Sequence, residues 1–320
     1  MQSLITRREF IERATTVAAV LLAARPASAA DGMFVSLNGS LTPGVSGADK
    51  ARLAAKLGYG GVDWDFGPAK KTGAEGTAAL FKELKIRPTI AGLPLQQPFG
   101  GDDAEFKGKL PQLAEDAAFC SAVGCNKMML VLSPAAPLPK DEHRKLVVNR
   151  LAAVSEILQK SNVRLGLEFL GPVYMRTGPG RGGAPRHPFI WTLPETVALA
   201  KDIGPNIGAI LDVWHWYHSG GTVADILATD KSRIVHLHLS DAKERPPEEV
   251  LDNQRFMPGE GIVNLTGFLQ ALKKIGYQDG VSPEPLGRIP KEMPPEEAAR
   301  LGLETTQAAL KKAGVNVLNS

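Results

Sequence analysis

Cysteine is nearly absent from this chain. Two in 320 residues, Cys120 and Cys125, exclude a disulfide scaffold. They lie five apart, where a helix ends and the next strand begins, and read as two small buried side chains. A disulfide between them is conceivable only in an oxidising compartment. Excess charge is also scarce. A formal net charge of +3 argues against a dedicated nucleic-acid binder, which would show a basic stripe. No acidic or basic tract and no internal repeat stands out. No glycine-rich phosphate fingerprint opens the first strand–helix unit, which disfavours an open doubly wound sheet.

The first thirty residues read as a leader. Thr6-Arg7-Arg8-Glu9-Phe10-Ile11 precedes the apolar run from Thr15 to Ala24, and Ala27-Ser28-Ala29 offers small residues for cleavage. The run is too short to span a bilayer comfortably, and no lipid-attachment cysteine follows it. The layout is that of a signal peptide, and the adjacent arginines resemble the twin-arginine class. Residues 1–29 are therefore expected to be a signal peptide and residues 30–320 the mature domain, exported to the periplasm with no stable membrane insertion. Removing four arginines and two glutamates lowers the formal charge from +3 to +1. Twin-arginine export carries folded proteins, so a metal centre can be loaded beforehand.

The rest alternates strand-like and helix-like segments. Strands are expected at 33–38, 61–66, 87–92, 127–132, 164–169, 207–212, 234–239 and 280–284. Helices are expected at 48–57, 75–85, 104–123, 141–159, 194–202, 223–228, 265–275 and 295–313. Strict alternation implies parallel pairing through helical crossovers. Eight units in about 290 residues fit a single-domain closed (β/α)₈ barrel. The runs VRLGLEFL, IGAILDV and RIVHLHLS are nearly continuous in apolar residues, as strands covered on both faces are. Ser46, Pro194 with Glu195, and Pro294-Pro295-Glu296-Glu297 mark helix starts. Two long connections, 171–193 and 241–263, leave carboxyl ends of strands, where barrel enzymes place their chemistry.

Polar residues at four successive strand ends carry the functional argument. Glu168 closes RLGLEF, Asp212 closes IGAILD, His238 sits in IVHLHLSD and Glu284 closes GVSPEP. A buried carboxylate is costly unless paired or bound to metal. Three carboxylates and one imidazole converging on a barrel axis would repel one another without a cation. The alternative is a set of separate ion pairs, but few basic residues occupy those strand ends. One divalent ion is therefore expected on Glu168, Asp212, His238 and Glu284. Three oxygens and one nitrogen without thiolate suit Mn²⁺, with Mg²⁺, Co²⁺ and Zn²⁺ also compatible. His236 lies one layer deeper than His238 on the same strand face and reads as a hydrogen-bonded core histidine. Asp241 is placed to orient a ligand or a substrate group. His215, three residues after Asp212, is placed to bind metal or donate to a substrate oxygen.

In this order, Leu-Glu-Phe at Glu168, Leu-Asp-x-x-His from Asp212 to His215, His-Leu-Ser-Asp from His238 to Asp241, Arg-x-x-Pro-Gly-Glu-Gly from Arg255 to Gly261 and Ser-x-Glu at Glu284 resemble the xylose isomerase-like barrels. That family holds sugar isomerases and epimerases, tagatose 3-epimerases among them, and also zinc-dependent abasic-site endonucleases. The resemblance covers nearly the whole mature chain. It implies that Glu168 and Glu284 bind metal and move protons on opposite faces of the sugar. It implies that Asp212 and His238 are ligands only, and that His215 and Arg255 hold substrate oxygens. The endonuclease pattern wants an Asp-x-His segment where this chain has Asn253-Gln254-Arg255, and Asn and Arg are poor zinc ligands.

The expected activity is a divalent-metal-dependent sugar isomerase or epimerase working by enediolate proton transfer on a keto- or aldo-sugar. The substrate is a small sugar or cyclitol, and no nucleic-acid partner is expected. A lyase or dehydratase on a keto-cyclitol or 3-keto-glycoside shares the first step and is the alternative. A sugar-binding barrel without turnover and an abasic-site endonuclease are more distant. Trp64 and Trp214, with Phe66 and Trp216, are expected to wall the sugar. Arg176, Arg181 and Arg186 are candidates to meet an anionic group.

Overall fold

The computed structural model describes residues 32–95, 98–176 and 186–318. The expected leader and Arg181 lie outside the described residues. Eight strands close into a barrel: β1 Phe34–Leu37, β2 Gly61–Trp64, β3 Arg87–Gly92, β4 Lys127–Leu132, β6 Arg164–Phe169, β8 Ile207–Asp212, β9 Ile234–Leu239 and β10 Gly280–Pro283. Around the barrel they run β1-β10-β9-β8-β6-β4-β3-β2, and every neighbouring pair is parallel. Two further short strands, β5 Ala135–Ala136 and β7 His187–Pro188, pair antiparallel outside the barrel.

The expected helices appear within a residue or so of their predicted ends, as at Asp103–Ala122, Lys140–Lys160, Leu193–Ile203 and Pro295–Lys312. Thr192 accepts from the Glu195 N–H to cap one of them, and Pro194 fits its first turn. Three short helices were not expected: Phe66–Thr72, Val173–Arg176 and Val213–His218. Each sits in a connection at a strand's carboxyl end and is too short for its apolar residues to show a helical period.

Strand side chains alternate between the barrel interior and the surrounding helices. On β2, Asp63 points inward to Ser36 and Ser282, while Trp64 points outward against Phe81 and Phe119. The interior has two unlike halves. Ile90, Ile210 and Val235, with Met129 against them, form an apolar half. Ser36, Asp63, Thr89, His236 and Ser282 form a hydrogen-bonded polar half. Cys120 and Cys125 are both free thiols and fully buried.

Candidate metal centre

Four adjacent elements deliver the expected ligands to one point. Glu168 comes from β6, Asp212 from the last position of β8, His238 from β9, and Glu284 from the residue after β10. One donor atom from each lies within 4.8 Å of all the others. Nδ1 of His238 is 2.7 Å from Oε1 of Glu168, 3.4 Å from Oε2 of Glu284 and 3.9 Å from Oδ2 of Asp212. Those separations fit donors around a single ion with bonds of about 2.0–2.2 Å. Burial alone would drive the His238 imidazole neutral, but Glu284 and Glu168 outweigh it and hold its pKa well above the ordinary value. Burial likewise favours the neutral acid at Glu284, and His238 with Arg255 overcomes it and lowers the pKa. The donor set, three oxygens and one nitrogen arranged around a polarised imidazole, fits a divalent cation.

Asp212 shows why the Asp-x-x-His spacing works. Its Oδ1 accepts from the backbone N–H of Trp214 at 2.7 Å and of His215 at 3.2 Å, capping the helix Val213–His218. Its Oδ2 stays with the site. The capped helix then turns His215 back toward the same centre, where the ring is 1% exposed. Nδ1 of His215 faces the Gly171 N–H at 3.3 Å, and Nε2 faces Nη2 of Arg255 at 3.1 Å. A neutral imidazole has one lone pair, so it cannot accept from both. Gly171 is required here, because a Cβ would stand 1.9 Å from the His215 carbonyl oxygen. The Arg255 contact is the shorter and comes from a charged donor, so Nε2 of His215 accepts from Nη2, whose other N–H goes to Asp252.

Few basic residues were expected at the strand ends themselves, and Arg255, expected at the site, reaches in from the loop after β9 to pair with two of the four carboxyl or imidazole residues. Its Nη1 donates to Oδ2 of Asp212 at 2.7 Å and to Oε2 of Glu284 at 2.8 Å. Asp252, which the sequence reading missed, accepts from Nη2 at 2.6 Å and from Nε at 3.0 Å. Three carboxylates thus face one guanidinium and a fourth, Glu168, faces His238, so the balance stays negative even with His238 protonated. The negative balance is what a divalent ion would offset.

Other expected site residues sit elsewhere. Trp64 does not wall the barrel mouth; it is 6% exposed and stacks with Phe66 and Phe119 between barrel and helices, because Asp63 takes the inward position on β2. Trp214 is 1% exposed and lies under the Arg255 guanidinium at 4.8 Å, so it supports a site residue instead of meeting substrate. Trp216 is buried against Phe268. Asp241 does not aim at the centre; its carboxylate accepts the N–H groups of Ala242, Gly259 and Val263 and ties down its own loop. Arg176 donates to the carbonyls of Gly171 and His218, and Arg186 to Ser133 and Ala135, so both are spent on loop backbone or side chains. His236 is a core histidine at 2.7 Å from Ser282 Oγ, with its pKa well below normal through burial. At the mouth, Val131 pairs with Glu168 across β4 and β6 and is 48% exposed. A continuous apolar run hides such a residue from sequence inspection.

The centre lies at the carboxyl ends of the strands. A cavity of about 620 Å³ opens instead at their amino ends, lined by Arg87, Lys127 and Asp279, where Lys127 is already paired to Asp279 at 2.6 Å.

Comparison with known proteins agrees with this geometry. A curated inosose isomerase of Halalkalibacterium halodurans is 30% identical over 176 residues, which cover 54% of this chain and 57% of that protein. The chain therefore spans little more than half the length of that relative. A xylose isomerase domain protein of Alicyclobacillus acidocaldarius subsp. acidocaldarius superposes with a TM-score of 0.79 at 27% identity, covering 88% of this chain and 99% of that one. The IOLI protein, solved with a zinc atom, has a TM-score of 0.73 at 23% identity, with coverage of 88% and 99%. Residues 51–309 match the family described as xylose isomerase-like TIM barrel, and the chain belongs to that family.

Proposed function

We propose that this chain is a divalent-metal-dependent isomerase or epimerase of a small keto- or aldo-sugar or keto-cyclitol. The observation that carries the reading is the pair Glu168 and Glu284, which flank Nδ1 of His238 at 2.7 and 3.4 Å within a four-donor group. Glu168, Asp212, His238 and Glu284 would hold the ion, and a bound ion would supply Lewis-acid polarisation of a substrate carbonyl. Glu168 or Glu284 takes the proton from the carbon beside that carbonyl, and the other glutamate returns one. Return to the same carbon from the opposite face is epimerisation; return to the neighbouring carbon is isomerisation. His215 and Arg255, joined through Nε2 and Nη2, are the pair that holds substrate oxygens. The inosose isomerase relative supports a cyclitol among the candidates. Mn²⁺ is the proposed ion on donor chemistry, with Zn²⁺ beside it because the IOLI barrel holds zinc. We also propose export through the twin-arginine leader.

The test is proton exchange. Purified protein is loaded with Mn²⁺, Zn²⁺, Co²⁺ or Mg²⁺ and incubated in deuterated water with keto-inositols, ketohexoses and 3-keto-glycosides. The expected result is deuterium at the carbon beside the carbonyl together with an isomerised or epimerised product. An eliminated product would assign a lyase instead. No exchange with any of these substrates under any ion would refute the proposal.

A further inference from the structure

The ligand set leaves one of its own atoms without a partner. His238 turns Nδ1 toward the three carboxylates, while its Nε2 is buried and makes no hydrogen bond. An imidazole that binds an ion through Nδ1 carries its proton on Nε2. Metal-bound histidines almost always donate that proton to a carboxylate, a carbonyl or a water, which fixes the tautomer and the ring orientation.

Asp63 is the carboxyl acceptor within reach. A carboxylate oxygen of Asp63, a ring nitrogen of His236 and a ring nitrogen of His238 lie within 4.8 Å of one another. Oδ1 of Asp63 accepts from Ser36 at 2.8 Å and Ser282 at 2.9 Å, and Oδ2 accepts from Asn38 at 3.0 Å. A carboxylate offers about four lone-pair sites. Three donors therefore leave one site open, on Oδ2. The surrounding hydroxyls and amide all donate, so the network ends on Asp63 as its acceptor. No direct hydrogen bond joins Asp63 to His238 at that spacing, so a link between them needs one bridging water. His236 is the rival acceptor. The Ser282 hydroxyl gives its proton to Asp63, so His236 donates from Nε2 to Ser282 at 2.7 Å, and its Nδ1 keeps a lone pair. That lone pair is a single nitrogen acceptor, whereas Asp63 offers carboxyl oxygens that already collect three side-chain donors.

We propose that Asp63 is a positioning residue for the ion: it accepts the Nε2–H of His238 across one water and so keeps Nδ1 as the ligand atom. This rests on the reading of Glu168, Asp212, His238 and Glu284 as a metal site. It adds a residue from β2, on the far side of β1 and β10 from His238, to a centre built otherwise from β6 to β10.

The experiment reads binding and tautomer, not turnover. In full-length protein loaded with ¹¹³Cd²⁺, ¹⁵N NMR of the histidine side chains reports which His238 nitrogen couples to the ion. Coupling at Nδ1 with a slowly exchanging Nε2–H is expected in the wild type, a measurement that needs no variant. Chelator competition with Zn²⁺ and Mn²⁺ should show Asp63→Ala binding about 10–100-fold more weakly and Asp63→Asn losing less. A purely structural role would lower the melting temperature and leave the affinity of the folded protein unchanged. Coordination through Nε2, or wild-type affinity in Asp63→Ala, would overturn the proposal. So would a loss in His236→Gln that Asp63→Ala does not share, or a wild-type chain that binds no ion. Ion binding that depends on Asp63 without proton exchange in any sugar would sink the isomerase reading and leave this one standing.

Discussion

Arg255 bridges Asp212 and Glu284, with one guanidinium nitrogen 2.7 Å from the first carboxylate and 2.8 Å from the second. The same two carboxylates belong to the four-donor group around His238. A bound ion would therefore share the charge-balancing role of Arg255. Arg255→Ala leaves Asp212 and Asp252 without their buried cation. The metal-free protein should lose about 3 kcal/mol of stability, the usual scale for breaking a buried pair. The metal-loaded protein should lose less, because the ion supplies the missing charge. Thermal melting with and without chelator checks this, and equal losses in both forms would contradict it.

Asp212 has two tasks that substitution separates. Asp212→Ala removes a ligand and also the cap of the helix Val213–His218. Metal content should fall, and the metal-free protein should still lose about 1 kcal/mol from the missing cap. Melting of metal-free wild type and variant tests the second effect. An unchanged melting temperature would mean that the cap contributes nothing.

Glu168 and Glu284 are expected to carry protons as well as bind. Glu168→Gln and Glu284→Gln keep an oxygen near the ion but lose the base. Each should retain most of its metal and lose about 10²–10⁴-fold in turnover. Asp212→Ala and His238→Ala should lose metal first and recover activity in part at high Mn²⁺. Metal content and deuterium incorporation measured on all four variants decide the matter. Exchange persisting in both glutamine variants would remove the proposed bases.

Metal number separates this chain from the endonuclease branch of its family pattern. Asn253 and Arg255 stand where two further zinc ligands would be needed, and Arg255 is engaged with Asp212, Asp252 and Glu284. Elemental analysis of the purified protein should find close to one ion per chain. Close to three zinc ions would revive nucleic acid as substrate.

Export is tested at the leader. The double variant Arg7→Lys, Arg8→Lys should leave precursor in the cytoplasm, as read by cell fractionation. Unchanged export would remove the twin-arginine proposal.

Much of this protein was legible before its structure. Alternation of apolar runs with helical periods gave a parallel sheet covered on both faces, and eight units without a phosphate fingerprint favoured a closed barrel over an open doubly wound sheet. Glu168, Asp212, His238 and Glu284 were legible for a related reason. Each is a charged or titratable group ending or interrupting a run that is otherwise buried, and the convergence of strand ends in a barrel supplies the third dimension at no further assumption. What only the tertiary structure decided is how neighbours from distant parts of the chain meet. Trp64 and Asp63 are adjacent in sequence and face opposite sides of β2, so pleat direction, not residue type, assigned one to the helix layer and the other to the interior. Arg255 and Asp252 enter from a loop with no period, and its course is set by Asp241 gripping three backbone N–H groups. The hydrogen bond between Asp63 on β2 and Ser282 on β10 exists only because the sheet closes through β1, and closure joins residues that no spacing along the chain relates.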